Sequence, residues 1–261
     1  MHDETWMIRT FAPGASLLLV LCSLTACQKA SRDLPLLEID PGGREPRLLS
    51  ATLAPGMNLR GDCHGERVLV MVFSHQLDNT SVYPEAFALT TKNSDKVITP
   101  SCVSLAPSDT RRERRTVYAT GVGEADLERV EVIGEIKTAP VSWGQLTFKG
   151  TAAAIEVLDA TPALVFGERV MVADSACRPS EAHQAVRVTW ASPLEVAPDD
   201  AIAPAQFSVT IMNHDGTLDR LTPTAVRDDD GDNHHELCLM SYGLPLEVHT
   251  TIGPSRVEVL Y

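Results

Sequence analysis

RVLVMVF, residues 67–73, decides the fold. Val68, Val70 and Val72 alternate with Leu69, Met71 and Phe73, so a strand through this stretch is apolar on both faces. That suits the centre of a β-sandwich. The stretch runs on to Asp78, and AVRVTWASPLEV, residues 185–196, repeats it with Trp190 in the place of Phe73. In the second copy Val186, Val188 and Trp190 alternate with Arg187 and Thr189, the period of a half-buried strand.

Outward from this pair the likeness extends in both directions. Leu49-Ser50-Ala51-Thr52 resembles Leu158-Asp159-Ala160-Thr161, and each is followed by a cysteine, Cys63 or Cys177. EAFALTT, residues 85–91, matches AQFSVTI, residues 205–211, with Phe87 and Phe207 in register. ITPSCVSL (98–105) matches LTPTAVRD (221–228), and RTVYATG (115–121) matches LCLMSYG (237–243). Arg129-Val130-Glu131-Val132 recurs unchanged as Arg256-Val257-Glu258-Val259. Six matches in one order describe an internal duplication. Turn residues are dense, as at Asn93-Ser94-Asp95, Asp215-Gly216 and Asp230-Gly231. No stretch keeps a capped helical period over three turns. Short strands and frequent turns predict an all-β chain of two sandwiches.

The pattern is similar to that of bacterial Ig-like domains, which recur in surface-layer and cell-envelope proteins. Phe73-Ser74, Leu77-Asp78 and Phe87-Ala88-Leu89 follow the order of that family's aromatic-Ser pair, polar loop and Phe-x-Val strand. Trp190-Ala191, Leu194-Glu195 and Phe207-Ser208-Val209 follow it again, with Ala for Ser. The resemblance covers 48–137 and 157–261 as two Ig-like β domains. It implies scaffolding, spacing or adhesion and no intrinsic catalysis. Residues 138–156 read as a connecting segment, in which LTFK, Leu146 to Lys149, offers an extra strand.

The N-terminal end carries an address. Ala15 to Cys22 is apolar but far short of the ~20 residues a membrane-spanning helix needs, and it fits the apolar region of a secretory signal. Leu24-Thr25-Ala26-Cys27 resembles a bacterial lipobox. The resemblance implies a signal peptide over 1–26 and a lipid on the Cys27 thiol, the strongest nucleophile at hand. Several acyl chains, at ~0.8 kcal/mol per buried methylene, hold such a chain on a membrane. MHDET is acidic where such a leader is basic, whereas a start at Met7 puts Arg9 there. Residues 27–47, rich in Pro, Gly and charge, read as a lipidated tether. Gln28 after the cysteine implies the outer membrane rather than the inner. The implied partners are membrane lipid through this anchor and an unknown envelope protein or polysaccharide. The formal net charge of −13 repels phosphates, which excludes nucleic acid as a partner class.

Four cysteines remain, Cys63, Cys102, Cys177 and Cys238, with no CxxC among them. An even number in an exported chain predicts two disulfides. One bridge per unit, Cys63–Cys102 and Cys177–Cys238, is the simplest pairing. Four cysteines still allow three connectivities. In the alignment Cys102 matches Ala225, while Cys238 matches Thr116, one strand later.

No GxSxG, P-loop, GxGxxG or HExxH occurs, and no catalytic residue is assigned. The candidate for chemistry is RDDDGDNHHE, residues 227–236. Asp228, Asp230 and Asp232 at alternate positions resemble the start of an EF-hand calcium loop, since carboxylates are hard ligands suited to Ca²⁺. The loop glycine falls at position four and Leu239 stands at position twelve, both against that pattern. His234 and His235 suit a softer ion but point to opposite faces of a strand. The simpler expectation is a solvated hairpin loop with Asp-Gly at its turn and no cofactor. Its counterpart SDTRRERRT, residues 108–116, is basic instead of acidic. Two such loops could attract one another between neighbouring molecules.

Overall fold

The stretch at 67–73 and its copy at 184–190 both form interior strands, each in an eight-stranded sheet. The structure is a computed structural model. It describes residues 45–55, 63, 65–92, 94–109, 113–123, 126–140, 144–158, 162–194, 202–228, 231–253 and 255–260. The leader, Cys27, residues 28–44 of the tether and Asp230 lie outside the described residues.

The first sheet holds β1 (Leu48–Pro55), β2 (Arg67–Phe73), β3 (Phe87–Thr91), β4 (Ser94–Ile98), β5 (Cys102–Ser104), β6 (Thr116–Thr120), β7 (Leu127–Val132) and β8 (Ala152–Val157). The second holds β9 (Leu164–Val170), β10 (Gln184–Trp190), β11 (Phe207–Met212), β12 (Leu218–Leu221), β13 (Ala225–Arg227), β14 (His234–Leu239), β15 (Leu244–Thr250) and β16 (Ser255–Leu260). The spatial orders are β4-β3-β7-β8-β1-β2-β6-β5 and β12-β11-β15-β16-β9-β10-β14-β13. Strand for strand the second order is the first, as two copies of one sequence unit would produce. Helical structure among the described residues is confined to short 3₁₀ turns, so no helix there is long and apolar enough to cross a membrane.

Each sheet curls over its own core. Leu69, Met71 and Phe73 of β2 pack with Phe87 and Leu89 of β3, Val130 and Val132 of β7, and Phe148. Val186, Val188 and Trp190 of β10 do the same with Phe207, Val209 and Val248. The second apolar face of β2 has its own use: Val68 and Val70 join Ala54 and Tyr118 in a small cluster outside the main core. Burying an aliphatic side chain contributes about 1.5–3 kcal/mol, so these alternating rows supply most of the drive to fold.

The disulfides pair as the simplest expectation has them, Cys63–Cys102 and Cys177–Cys238. The register explains the shifted partner. Cys102 on β5 lies opposite Thr120, and Ala225 on β13 lies opposite Cys238. Cys238 is therefore the counterpart of Thr120, not of Thr116. The second cysteine has moved to the facing position on the neighbouring strand.

Four other readings change. Leu49–Thr52 lies in β1, whose counterpart β9 spans Leu164–Val170, so its match with Leu158–Thr161 is out of register. Arg129–Val132 lies in β7, whereas Arg256–Val259 lies in β16, whose counterpart is β8; that tetrapeptide match joins unlike strands. Ala152–Val157, which runs from the expected connector into the first residue of the expected second domain, forms β8 and pairs with both β7 and β1 of the first sheet. Its three alanines lack the β-branched signature of a strand. Around LTFK, only Thr147 bridges to Lys137, while Phe148 is buried in the first core.

Candidate functional site: a buried charged junction

Charge is concentrated where the two sheets meet, on faces turned away from both cores. The second sheet supplies a row across four strands. Arg187 on β10 lies opposite Glu168 on β9 and opposite Glu236 on β14, and Glu236 lies opposite Arg227 on β13. Directly opposed residues share a face, so the row reads Glu, Arg, Glu, Arg with each charge beside its complement. The equivalent row in the first sheet is Thr52, Val70, Tyr118 and Ser104, with no charge at all.

The first sheet adds its charges from the segment before β6. Arg115 grips Glu168 with two nitrogens, Nη2 at 2.6 Å and Nε at 3.4 Å. Its Nη1 donates to the Ser74 carbonyl, and its guanidinium lies 4.4 Å from the Phe166 ring centre. Arg187 reaches Glu236 at 2.5 Å, Glu168 at 3.4 Å and Glu113 at 3.5 Å. Arg115 and Arg187 are each 2% exposed. Burial, the largest influence on Arg187, pulls its pKa down, but Glu168, Glu236 and Glu113 outweigh it and hold the group above its ordinary value. At the end of the row, Arg227 pairs with Glu181, whose pKa is lowered chiefly by that bond. The Ala176 amide donates to Glu236 from the segment that Cys177 pins to the sheet.

A polar knot lies beside the charges. The Asn233 side-chain oxygen accepts from Thr116 Oγ1 at 2.9 Å, Tyr118 Oη at 3.1 Å and Ser108 Oγ at 3.2 Å. Its amide nitrogen donates to the Trp190 carbonyl at 2.7 Å. The His234 ring sits between Thr189 Oγ1, 2.9 Å from Nδ1, and Thr116 Oγ1, 3.4 Å from Nε2. Burial and then the Arg187 and Arg115 charges push its pKa well below the ordinary histidine value, so it is neutral. His235 points the other way. Its Nδ1 accepts from Trp190 Nε1 at 3.2 Å, so Nε2 carries the proton facing Asp228 at 3.5 Å. Burial lowers its pKa also, against the pull of Asp228.

The loop is a hairpin between β13 and β14, with Asp228 and Gly231 exposed, but its second half is not solvated. Asp232, Asn233, His234, His235 and Glu236 are all buried. The two loops meet within one chain, but through Ser108 and Thr116 on Asn233 and His234 rather than through opposite charges; Glu113 and Arg115 instead reach Arg187 on β10 and Glu168 on β9. For calcium, Asp228 Oδ1 accepts from the Gly231 amide and Asp232 Oδ1 from the His234 amide. Among the described residues no group of three His, Cys, Asp or Glu is placed to hold a metal ion. Glu168, Arg187 and Arg115 carry no motif, and sequence reading passes over them. The one signal was the interruption of the apolar strand at Arg187.

No protein-family model matches this chain, and no curated protein matches it. A solved structure that it resembles is the crystal structure of the N-terminal part of the bacterial S-layer protein SbsC. The TM-score is 0.32 at 13% identity, over 87% of this chain and 49% of that one. The chain spans about half the length of that structure, and so loose an overlap bears on neither fold nor function.

Proposed function

We propose that the chain is a bacterial cell-envelope lipoprotein with a structural or binding role and no catalytic chemistry. Cys27 carries the lipid, residues 28–47 form the tether, and two Ig-like sandwiches stand beyond it. The observation that carries the non-enzymatic reading is the closure of the junction. The charged and hydroxyl-bearing residues that could do chemistry are buried against one another and pair with one another, which suits a coupler between two modules. The strand order supports the Ig-like reading. β1-β2-β6-β5 corresponds to the A-B-E-D layer of that fold, and β8-β7-β3-β4 to G-F-C with an added C′ strand. Exposed loops reach an envelope protein or polysaccharide, and the outer membrane is the anchoring surface.

Feeding labelled fatty acid to cells expressing the full chain tests the anchor. The label enters the wild-type protein and is lost in Cys27→Ala. Equal labelling of both, or of neither, refutes the lipoprotein reading.

A further inference from the structure

Apolar exposure in the second sheet is gathered at one end. Among its described residues the exposed large apolar side chains are Met171, Met212, Leu218, Met240 and Tyr242. Met171 follows the last residue of β9, Val170, which lies opposite Ala185. Met240 follows β14, and Tyr242 sits in the turn from there to β15. Met212 closes β11 and lies opposite both Leu218, which opens β12, and Leu244, which opens β15. All five therefore stand at the end where β9, β11 and β14 finish and β10, β12 and β15 begin.

This end is held in shape. Gln184 Nε2 donates to the Ser241 carbonyl at 2.7 Å and to the Gly243 carbonyl at 2.6 Å, which ties the turn to β10. A Cβ on Gly243 would lie 3.0 Å from Ile211 Cδ1 and from the Met212 carbonyl oxygen, so glycine lets the turn close on β11. The exposed His183 ring stacks on Tyr242 with centroids 4.2 Å apart and planes at 10°. Tyr242 is thereby kept outward, 69% exposed. Apolar groups fixed in water in this number mark a surface that something else covers.

The surroundings favour a lipid surface. The tether enters the structure beside the second sheet: the Arg47 amide donates to Ser74 Oγ, the Ser74 carbonyl accepts from Arg115, and Arg115 holds Glu168 on β9. Met171 follows Glu168 by three residues, about 10 Å of strand. A flexible tether over 28–44 spans about 20–25 Å on average, so a lipid on Cys27 keeps this end within reach of the bilayer. Charge does not oppose the approach. Exposed Arg169, Arg178 and Arg220 stand near this end with Asp174, Asp215 and Asp219, a balance that the whole chain, at −13, lacks. Asp215 and Asp219 are tied into their own hairpin by Thr217 and Asn213. Tyrosine and arginine, apolar along their bodies and polar at their tips, suit the boundary between headgroups and acyl chains.

We infer that this end of the second sheet rests on the membrane, with Tyr242, Met171, Met240, Met212 and Leu218 entering the headgroup layer of the leaflet that holds the Cys27 lipid. The inference rests on the lipoprotein reading, which brings the end to a bilayer.

The test replaces the biological lipid by a chemical one. In the chain from residue 27 to residue 261, Cys27 is the one cysteine outside the two disulfides, so its thiol couples to a maleimide lipid in vesicles of brominated phosphatidylethanolamine and phosphatidylglycerol. Tyr242→Trp reports on the apolar end, and Val97→Trp, at a site 57% exposed on β4 of the first sheet, is the control. Trp143 and Trp190 give a background common to both, subtracted with the unsubstituted chain. Emission from Tyr242→Trp should shift to the blue and be quenched several-fold more than emission from Val97→Trp. Adding Met171→Asp and Leu218→Asp to the Tyr242→Trp chain should abolish the difference. Equal quenching at the two sites, or none at either, overturns the inference. A blue shift of Tyr242→Trp that grows with protein concentration without vesicles assigns the end to a second copy of the chain and overturns it as well. Because the anchor is supplied chemically, none of these outcomes depends on whether cells lipidate Cys27, which the labelling experiment decides.

Discussion

Thr116 and His234 occupy equivalent positions in the two sheets and touch. Thr116 pairs with Val72 and His234 with Thr189, each one residue before the aromatic that ends its strand. Across the junction Thr116 Oγ1 lies 3.4 Å from His234 Nε2. The two outer faces meet here through like positions. Arg115 and Asn233 are also counterparts, and so are Thr52 and Glu168. The Arg115–Glu168 bond therefore forms only when a first unit meets a second. Paired with its own kind, Arg115 would face a threonine.

Glu168 serves both junction guanidinium groups, so its loss should be costly. Glu168→Ala leaves Arg115 without its main carboxylate partner and weakens Arg187, both 2% exposed. Removing one member of a buried ion pair costs about 3–5 kcal/mol. Urea unfolding should show that loss, little changed by salt. Lys149→Ala, which breaks the exposed Lys149–Glu135 pair, should leave the urea midpoint almost unchanged. Comparable losses for the two would show that the junction pair is not functionally buried.

Acid should loosen the fold through His234 and His235. Both are held neutral, with pKa values below the ordinary one. Unfolded, each ionises near pH ~6.5. Below that pH the unfolded chain binds protons that the folded chain refuses. Their contribution to stability is thus complete above pH ~6.5 and declines as pH falls toward the folded values, by up to about 1.4 kcal/mol per pH unit for each histidine. Unfolding curves from pH 7.5 to 5 should show the decline, and His234→Gln should make it shallower. A slope unaffected by that change would mean His234 is already charged when folded.

Asn233 should act as the hub of the hydroxyl knot. Asn233→Ala leaves Thr116, Tyr118 and Ser108 without their common acceptor, and the Trp190 carbonyl without its side-chain donor. Buried polar groups deprived of a partner cost about 1–3 kcal/mol. Tyr118→Phe removes a single donor and should cost less. Denaturation midpoints that place the two in the opposite order would contradict this assignment.

The strands at 67–73 and 184–190, the duplication and both cysteine pairs were legible because each is local or is repeated. Two kinds of feature were not. β8 is an alanine strand, recognisable only by the neighbours that enclose it. The junction is hydrophilic, and Asp-Gly marked residues 227–236 as a turn, which says nothing about what covers the turn. Arg187 was visible as a charge inside a strand. Its partners come from positions 113, 168 and 236, brought together only by the meeting of two outer faces. A register slip of four residues, which set Cys238 against Thr116 instead of Thr120, hid the equivalence of Thr116 and His234.

The two disulfides should contribute similar chain entropy but differ in reach. Closing separations of 39 and 61 residues stabilises by about 4 kcal/mol each on the chain-entropy model, because the dependence on length is logarithmic. Cys177–Cys238 also pins the segment whose Ala176 amide donates to Glu236 and whose Asp174 carbonyl lies 3.5 Å from Arg187 Nη2. Replacing Cys177 and Cys238 by alanine should therefore cost more than replacing Cys63 and Cys102. It should also raise amide hydrogen exchange across 172–178 and at the junction strands β10 and β14. Equal losses with exchange unchanged at β10 and β14 would mean that the bridge holds the loop without supporting the ion row beneath it.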